Sequence, residues 1–229
     1  MPIYLAFDVY GTLIDTAGVT GALRGVAGER AGAFAQAWRE KQLEYSFRRA
    51  LMQDYVPFGV CIAQALDYTC AGFDVTLAAG ERDDLLSLYR RLPAFPDAAE
   101  GLVALAALPV RCFAFSNGHP ADLHSLLASS GLIGSVAGVV SLFDARTYKP
   151  NPAAYAHFHR AAQTGGAETW LISSNPFDVI GAVAAGMRAL WLRRSPQTHY
   201  DPWEHQPTAT AATLLEAAEF FRHHVMDNE

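Results

Sequence analysis

The sequence predicts an α/β fold on three observations: short, almost wholly apolar runs that stop at polar loops, helical patterns set between them, and one long stretch that is helical throughout. A parallel strand buried on both faces needs an unbroken apolar run, because neither face meets water. Ile3 to Asp8 is such a run, and it ends on an acid. Val110 to Phe115 ends at Ser116-Asn117-Gly118, Gly138 to Leu142 leads towards Lys149, and Trp170 to Ile172 ends at Ser173-Ser174-Asn175. Arg188 to Leu192 reads as the final strand. Helical patterns occupy His119 to Ser130, Pro152 to Gln163 and Pro176 to Ala185, the last two opening on a proline, whose missing N–H costs nothing in a first turn. An amphipathic helix near Thr213 to His223 follows. Strands alternating with helices imply parallel βαβ units.

Between Asp15 and Pro93 the rhythm breaks. Gly32 to Leu51, Pro57 to Tyr68 and Arg82 to Arg91 carry apolar residues at three- and four-residue spacing, with no competing strand pattern. A helical insertion after the first strand lies over that strand's carboxyl end, where open α/β sheets bind ligands. The expected architecture is a Rossmann-like parallel-sheet core, residues 1–14 and 93–229, with an inserted helical cap subdomain, residues 15–92. No internal repeat or glycine-rich dinucleotide fingerprint is present, so a nicotinamide enzyme has no support.

Composition narrows the function. With 51% hydrophobic and 17% charged residues in 229, the chain has the apolar material for a real core. Seventeen basic against 23 acidic side chains give a net charge of −6 and argue against a nucleic-acid surface, which needs clustered cations. Cys61, Cys70 and Cys112 form no CxxC pair and suit a reducing compartment. Met1-Pro2-Ile3-Tyr4 has no basic leader pattern, and the longest apolar candidate, Gly131 to Phe143, is glycine-broken and short of the roughly 18 residues of a membrane span. A soluble cytoplasmic protein is expected, with no nucleic-acid or membrane partner. Only Lys41 and Lys149 are lysines, which makes each conspicuous.

In Asp8-Val9-Tyr10-Gly11-Thr12 a carboxylate leaves a buried strand and a glycine lets the chain turn tightly. Alone, such an aspartate is as often a turn or helix cap as a nucleophile. A parallel sheet, however, gathers Ser116, Asn117, Lys149, Ser173, Asn175 and Asp178 around it, since all lie at or just after strand ends. Lys149 before Pro150 can also be a surface residue, but the scarcity of lysine favours chemistry. The eight histidines form no HExxH pattern, His157 and His159 alternate on a helix and so point apart, and none is assigned a role.

Asp8 to Thr12, Ser116, Tyr148-Lys149-Pro150 and the last acidic loop together resemble the haloacid dehalogenase superfamily along the whole chain and, more narrowly, its L-2-haloacid dehalogenases. Phosphatases of that superfamily usually carry a second aspartate two residues after the nucleophile, where this chain has Tyr10. They usually place a magnesium-binding aspartate in the last loop, which here reads Ser173-Ser174-Asn175-Pro176-Phe177-Asp178. Phosphoryl transfer needs a cation and a proton for its leaving group, whereas halide leaves without a proton. The resemblance therefore implies metal-independent hydrolysis of short (S)-2-haloacids to (R)-2-hydroxy acids through an aspartyl ester, with no metal and no cofactor. It implies Asp8 as nucleophile, Lys149 as its cationic partner, Asp178 as the group orienting or activating water, and Thr12, Ser173 and Asn175 as hydrogen-bond donors to the carboxylates. Arg39 and Asn117 receive the halide, Ser116 binds the substrate carboxylate, Tyr155 touches the cluster, and Tyr10, Leu43, Phe58 and Phe177 wall an apolar pocket. Arg39 beside Glu40 and Glu44 equally suits a solvated helix face, and Leu43 and Phe58 equally suit a helix core. The implied partners are a small 2-haloacid and halide, and the implied assembly a homodimer. The competing readings are a magnesium-dependent small-molecule phosphatase and an inactive carboxylate-binding relative.

Overall fold

A computed structural model describes residues 3–226. Met1 and Pro2, on which part of the leader reading falls, and 227–229, the end of the expected core, lie outside the described residues. Six strands form one parallel sheet: β1 (Ile3–Asp8), β2 (Val110–Ser116), β3 (Gly138–Ser141), β4 (Thr169–Ser173), β5 (Arg188–Leu192) and β6 (Ala209–Ala211), in the order β3-β2-β1-β4-β5-β6. The strand expected at 3–8, which ends on Asp8, is thus central, paired with β2 through Asp8↔Phe115 and with β4 through Phe7↔Ile172.

The helices are α1 (Thr20–Ala27), α2 (Ala31–Met52), α3 (Phe58–Gly72), α4 (Glu81–Leu88), α5 (Ala98–Ala106), α6 (Pro120–Ser129), α7 (Pro152–Ala162), α8 (Pro176–Ala184) and α9 (Leu214–Met226). Alternate strand residues supply two cores. Leu5, Phe7, Trp170 and Ile172 pack with α5, α6 and α9 through Leu102, Leu126 and Phe221, while Ala6, Phe115 and Leu171 pack with α7 and α8 through Tyr155, Phe158 and Val179.

Two features correct the sequence reading. Arg188–Leu192 is not the final strand, because β6 adds to its edge; Ala-Thr-Ala is too short to give an apolar run. An additional helix, α5, precedes β2, and its Ala- and Leu-rich segment carries no polar stripe to mark a helical period. Helix ends also shift: α3 continues to Gly72 beyond the expected Tyr68, and α4 stops at Leu88 rather than Arg91.

The chain enters the α1–α4 segment and leaves it side by side. Asp15 N donates to Pro93 O at 2.8 Å, Phe95 N to Leu13 O at 2.9 Å, and Ile14 bridges Ala94. Within that segment Phe34, Trp38, Cys61, Ile62, Leu66 and Tyr89 are buried together. Among the described residues no helix is long and apolar enough to cross a membrane.

Candidate active site

The strand ends bring the polar side chains together because the sheet is parallel. Asp8 closes β1 and is 8% exposed. Gly11 takes φ +88°, a conformation costly for any residue with a Cβ, and this folds the loop back so that the Thr12 hydroxyl donates to Asp8 Oδ2 at 2.8 Å. Ser173 Oγ, at 3.4 Å, and Asn175 Nδ2, at 2.7 Å, donate to the same oxygen. Oδ1 accepts from Lys149 Nζ at 3.1 Å.

Lys149 is buried, and its ammonium also donates to Asp178 Oδ2 at 2.9 Å and Phe115 O at 2.8 Å. Burial works to lower its pKa, but the Asp178 and Asp8 charges more than offset this and hold it above the ordinary lysine value. Asp178, fully enclosed, is pushed up to about 6 by burial, with the Asp8 charge adding to the rise and Lys149 and Tyr155 pulling it back. Tyr155 donates to Asp178 Oδ1 at 2.9 Å. Burial, then the Asp178 charge, raises its phenol well above the usual value, so it acts here as a donor.

Local sequence explains how Asn175 is free for this cluster. It occupies the N-cap position of α8, with Pro176 at N1, yet its side chain makes no capping bond. Its amide instead spans Asp8 and, at 3.2 Å, Tyr10 O. Asn151 and His119, at the equivalent positions of α7 and α6, do cap their helices. A forgone cap costs about 1 kcal/mol, and a departure of this kind is typical where a site is served.

The other candidates take distinct places. Asn117 Oδ1 accepts the Lys149 backbone N–H at 3.0 Å, and Ser116 Oγ accepts Gly118 N at 3.1 Å. Arg39 reaches across from α2 to Tyr10 O at 3.3 Å, and its Nη1 is buried without a hydrogen-bond partner. Tyr10 and Phe58, with ring centroids 6.3 Å apart, line a cavity of about 160 Å³ with Ile62, Tyr89 and Gly118. Phe177 is not in that wall: it packs edge-on against Phe47 at 5.0 Å and lines another cavity, of about 510 Å³, with Pro150, Ile180 and Trp203. Leu43 is half-buried on α2, where its carbonyl accepts the Ser46 hydroxyl.

Sequence reasoning passed over Ser174, Tyr148 and Gln42. Ser174 N donates to Thr12 Oγ1 at 2.9 Å, and its place inside Ser-Ser-Asn was the available signal. Tyr148 is buried with its hydroxyl on Val56 O, in the loop just before α3, and the motif residue beside it drew the eye instead. Buried Gln42 donates to Tyr89 Oη at 2.6 Å, and nothing in its helical context distinguishes it. Among the described residues no group of three or more His, Cys, Asp or Glu could hold a metal ion, and the ammonium of Lys149 stands between the two carboxylates.

A strand-end carboxylate, a cation, a second carboxylate with its pKa pushed up to about 6 and three donors on one carboxylate oxygen are parts that covalent catalysis followed by hydrolysis can use. Residues 4–186 match the model of the haloacid dehalogenase-like hydrolases. The chain is 36% identical over 190 residues to haloacetate dehalogenase H-2 of Moraxella sp. (strain B), covering 83% of this chain and 85% of that one. It is 37% identical over 193 residues to an (S)-2-haloacid dehalogenase of Xanthobacter autotrophicus, covering 84% and 76%. The structure of an L-2-haloacid dehalogenase from Xanthobacter autotrophicus with chloropropionic acid covalently bound superposes with a TM-score of 0.91 at 31% identity, over 97% of this chain and 99% of that one.

Proposed function

The chain belongs to the haloacid dehalogenase-like hydrolases, and from that premise we propose that it hydrolyses short (S)-2-haloacids to (R)-2-hydroxy acids through an ester on Asp8. The observation that carries this reading is the unequal engagement of the two Asp8 oxygens. Oδ2 accepts from Thr12, Ser173 and Asn175, whereas Oδ1 accepts from Lys149 alone and keeps a lone pair for attack.

In the first step Oδ1 attacks C2 from the side opposite the halogen. The C–O bond forms as the carbon–halogen bond breaks, the electron pair leaves with halide, and C2 inverts. Arg39 Nη1, a buried donor without a partner, supports the departing charge together with Asn117. The Ser116 hydroxyl, which accepts from Gly118 N, keeps its own proton to donate to the substrate carboxylate. In the second step water attacks Cγ of the Asp8 ester. Asp178, near the pKa range of a working base, takes the water proton. Charge then develops on Oδ2, where three donors already stand. Collapse expels the C2 alkoxide, which takes back the proton held by Asp178 and leaves as the hydroxy acid, while the Asp8 acid loses the other water proton, so one proton is released for each halide.

Lys149 supports the absence of a metal from this scheme, since its ammonium already stands between the two carboxylates and offsets one of their charges. The helical segment 15–92 acts as a cap that brings Arg39 and Phe58 to a core of 1–14 and 93–229. Family resemblance supports a cytoplasmic homodimer.

The test is chloride release from (S)-2-chloropropionate in EDTA, with (R)-lactate as product and no turnover by Asp8→Asn. A single turnover in ¹⁸O-water is expected to label the Asp8 carboxylate. Label found directly in lactate overturns the ester mechanism, and magnesium-dependent release of phosphate from phosphate esters, without chloride release, replaces the reading with that of a phosphatase.

A further inference from the structure

We propose that Arg194 and Asp97 form a positioning pair for the nucleophile loop, holding Thr12 against Asp8 and fastening that contact to the base of the helical insertion. The inference rests on the reading of Asp8 as nucleophile.

Arg194 lies just after β5, and neither it nor Asp97 touches Asp8. Its Nη1 meets both Asp97 oxygens at 2.6 Å, while Nε, at 3.2 Å, and Nη2, at 2.7 Å, converge on the carbonyl of Thr12. The pair is largely buried, with side-chain exposures of 12% and 16%, unlike a rim ion pair that solvent screens. The guanidinium also sits 4.2 Å from the Phe95 ring centroid, and Asp97 Oδ2 accepts the backbone N–H of Leu214, the first residue of α9.

Backbone accounting shows why the loop needs this partner. Thr12 N, Leu13 N and Ile14 N all converge on Val9 O, Gly11 N takes Ile14 O, and Phe95 N takes Leu13 O. The carbonyl of Thr12 is satisfied by Arg194. The same residue's hydroxyl donates to Asp8 and accepts from Ser174 N. Fixing one end of Thr12 therefore fixes the other. Phe95, under the guanidinium, belongs to the return crossing that pairs with Leu13, so the clamp spans both passages between insertion and sheet. The planar fork delivers two donors to the Thr12 carbonyl and a third to the Asp97 carboxylate in fixed directions; a lysine supplies the charge without that geometry.

The experiment uses full-length Arg194→Met, Arg194→Lys and Asp97→Asn, with rapid-quench measurement of ester formation on Asp8 per titrated site and amide exchange at Ser174. Arg194→Met is expected to slow ester formation about ten- to hundredfold, the scale of an ångström-sized misplacement, with KM within about twofold of wild type. Arg194→Lys and Asp97→Asn, should the methionine variant fail to fold, are expected to fall between. Exchange at Ser174 N–H is expected to quicken by about tenfold or more as Thr12 Oγ1 loosens. An unchanged rate constant per site, with only a lower melting temperature or fewer active sites, overturns the proposal, as does unchanged Ser174 exchange. Absence of ester in the wild type overturns the functional reading instead, and the exchange measurement then decides the positioning role alone.

Discussion

Lys149 has three protons to give and gives all of them, to Asp8, Asp178 and the Phe115 carbonyl. A buried ammonium shared by two carboxylates is a high-stakes arrangement, because removing it leaves two charges in a low dielectric. Lys149→Met is therefore expected to cost about 3–5 kcal/mol of stability, read by urea denaturation, and to abolish turnover even in the fraction that folds. The second carboxylate sets the pH behaviour. In the proposed role of base Asp178 works ionised, and with its pKa pushed up to about 6 the ionised fraction falls as pH falls through that value. Ester hydrolysis is expected to decline about tenfold between pH 7 and pH 5, while Asp178→Asn traps the ester, both measurable by quenched-flow mass spectrometry. Stability has the opposite sign: a carboxyl raised from 3.8 makes its contribution below the unfolded value and loses it as pH climbs through about 6. At this scale much was legible, since a chain with two lysines advertises the one beside a proline. Arg194 was not, because its meaning lies in a carbonyl far away in sequence and the chain holds many arginines.

Among the elements, α8 shows how one helix serves both the fold and the site. Its first turn gives up a cap so that Asn175 can reach Asp8, and its middle is cut away for a neighbour. A Cβ at Gly181 would lie 2.4 Å from Tyr155 Oη and 2.5 Å from Pro150 Cβ. Gly181→Ala is thus expected to lose about 1–3 kcal/mol by overpacking despite better helix propensity, and to shift Tyr155 off Asp178. Denaturation checks the first effect and slower ester hydrolysis with unchanged halide release the second. The strands with branched apolar runs and the helices opening on proline were readable from sequence. A three-residue edge strand and an unstriped Ala/Leu helix were not, since periodicity needs length and contrast to register. The diversion of Asn175 was likewise hidden, because an asparagine before a proline-led helix has the sequence of an ordinary cap.

For the whole molecule, alternation of strand and helix implied a parallel sheet but left its order open. The same alternation would serve several arrangements, and only packing selects the one that puts β1 in the middle. Strand ends could be expected to converge; which oxygen of Asp8 each donor reaches could not. The wall of the apolar pocket was only partly readable, because Tyr10 and Phe58 meet across the insertion while Phe177 faces another cavity. The strand order also governs how the molecule is made. Ile3 pairs with Val110 and Tyr4 with Thr169, so the strand carrying Asp8 is synthesised first and acquires its second neighbour only after most of the chain exists. Such distant pairings slow folding, whereas helices of the insertion close over short loops. Pulse-labelled hydrogen exchange during refolding is expected to protect amides of α2 and α3 before those of β1. Until β4 arrives, that apolar strand has an unpaired edge, and in a nascent chain it is the segment most exposed to mispairing with other chains and to capture by chaperones.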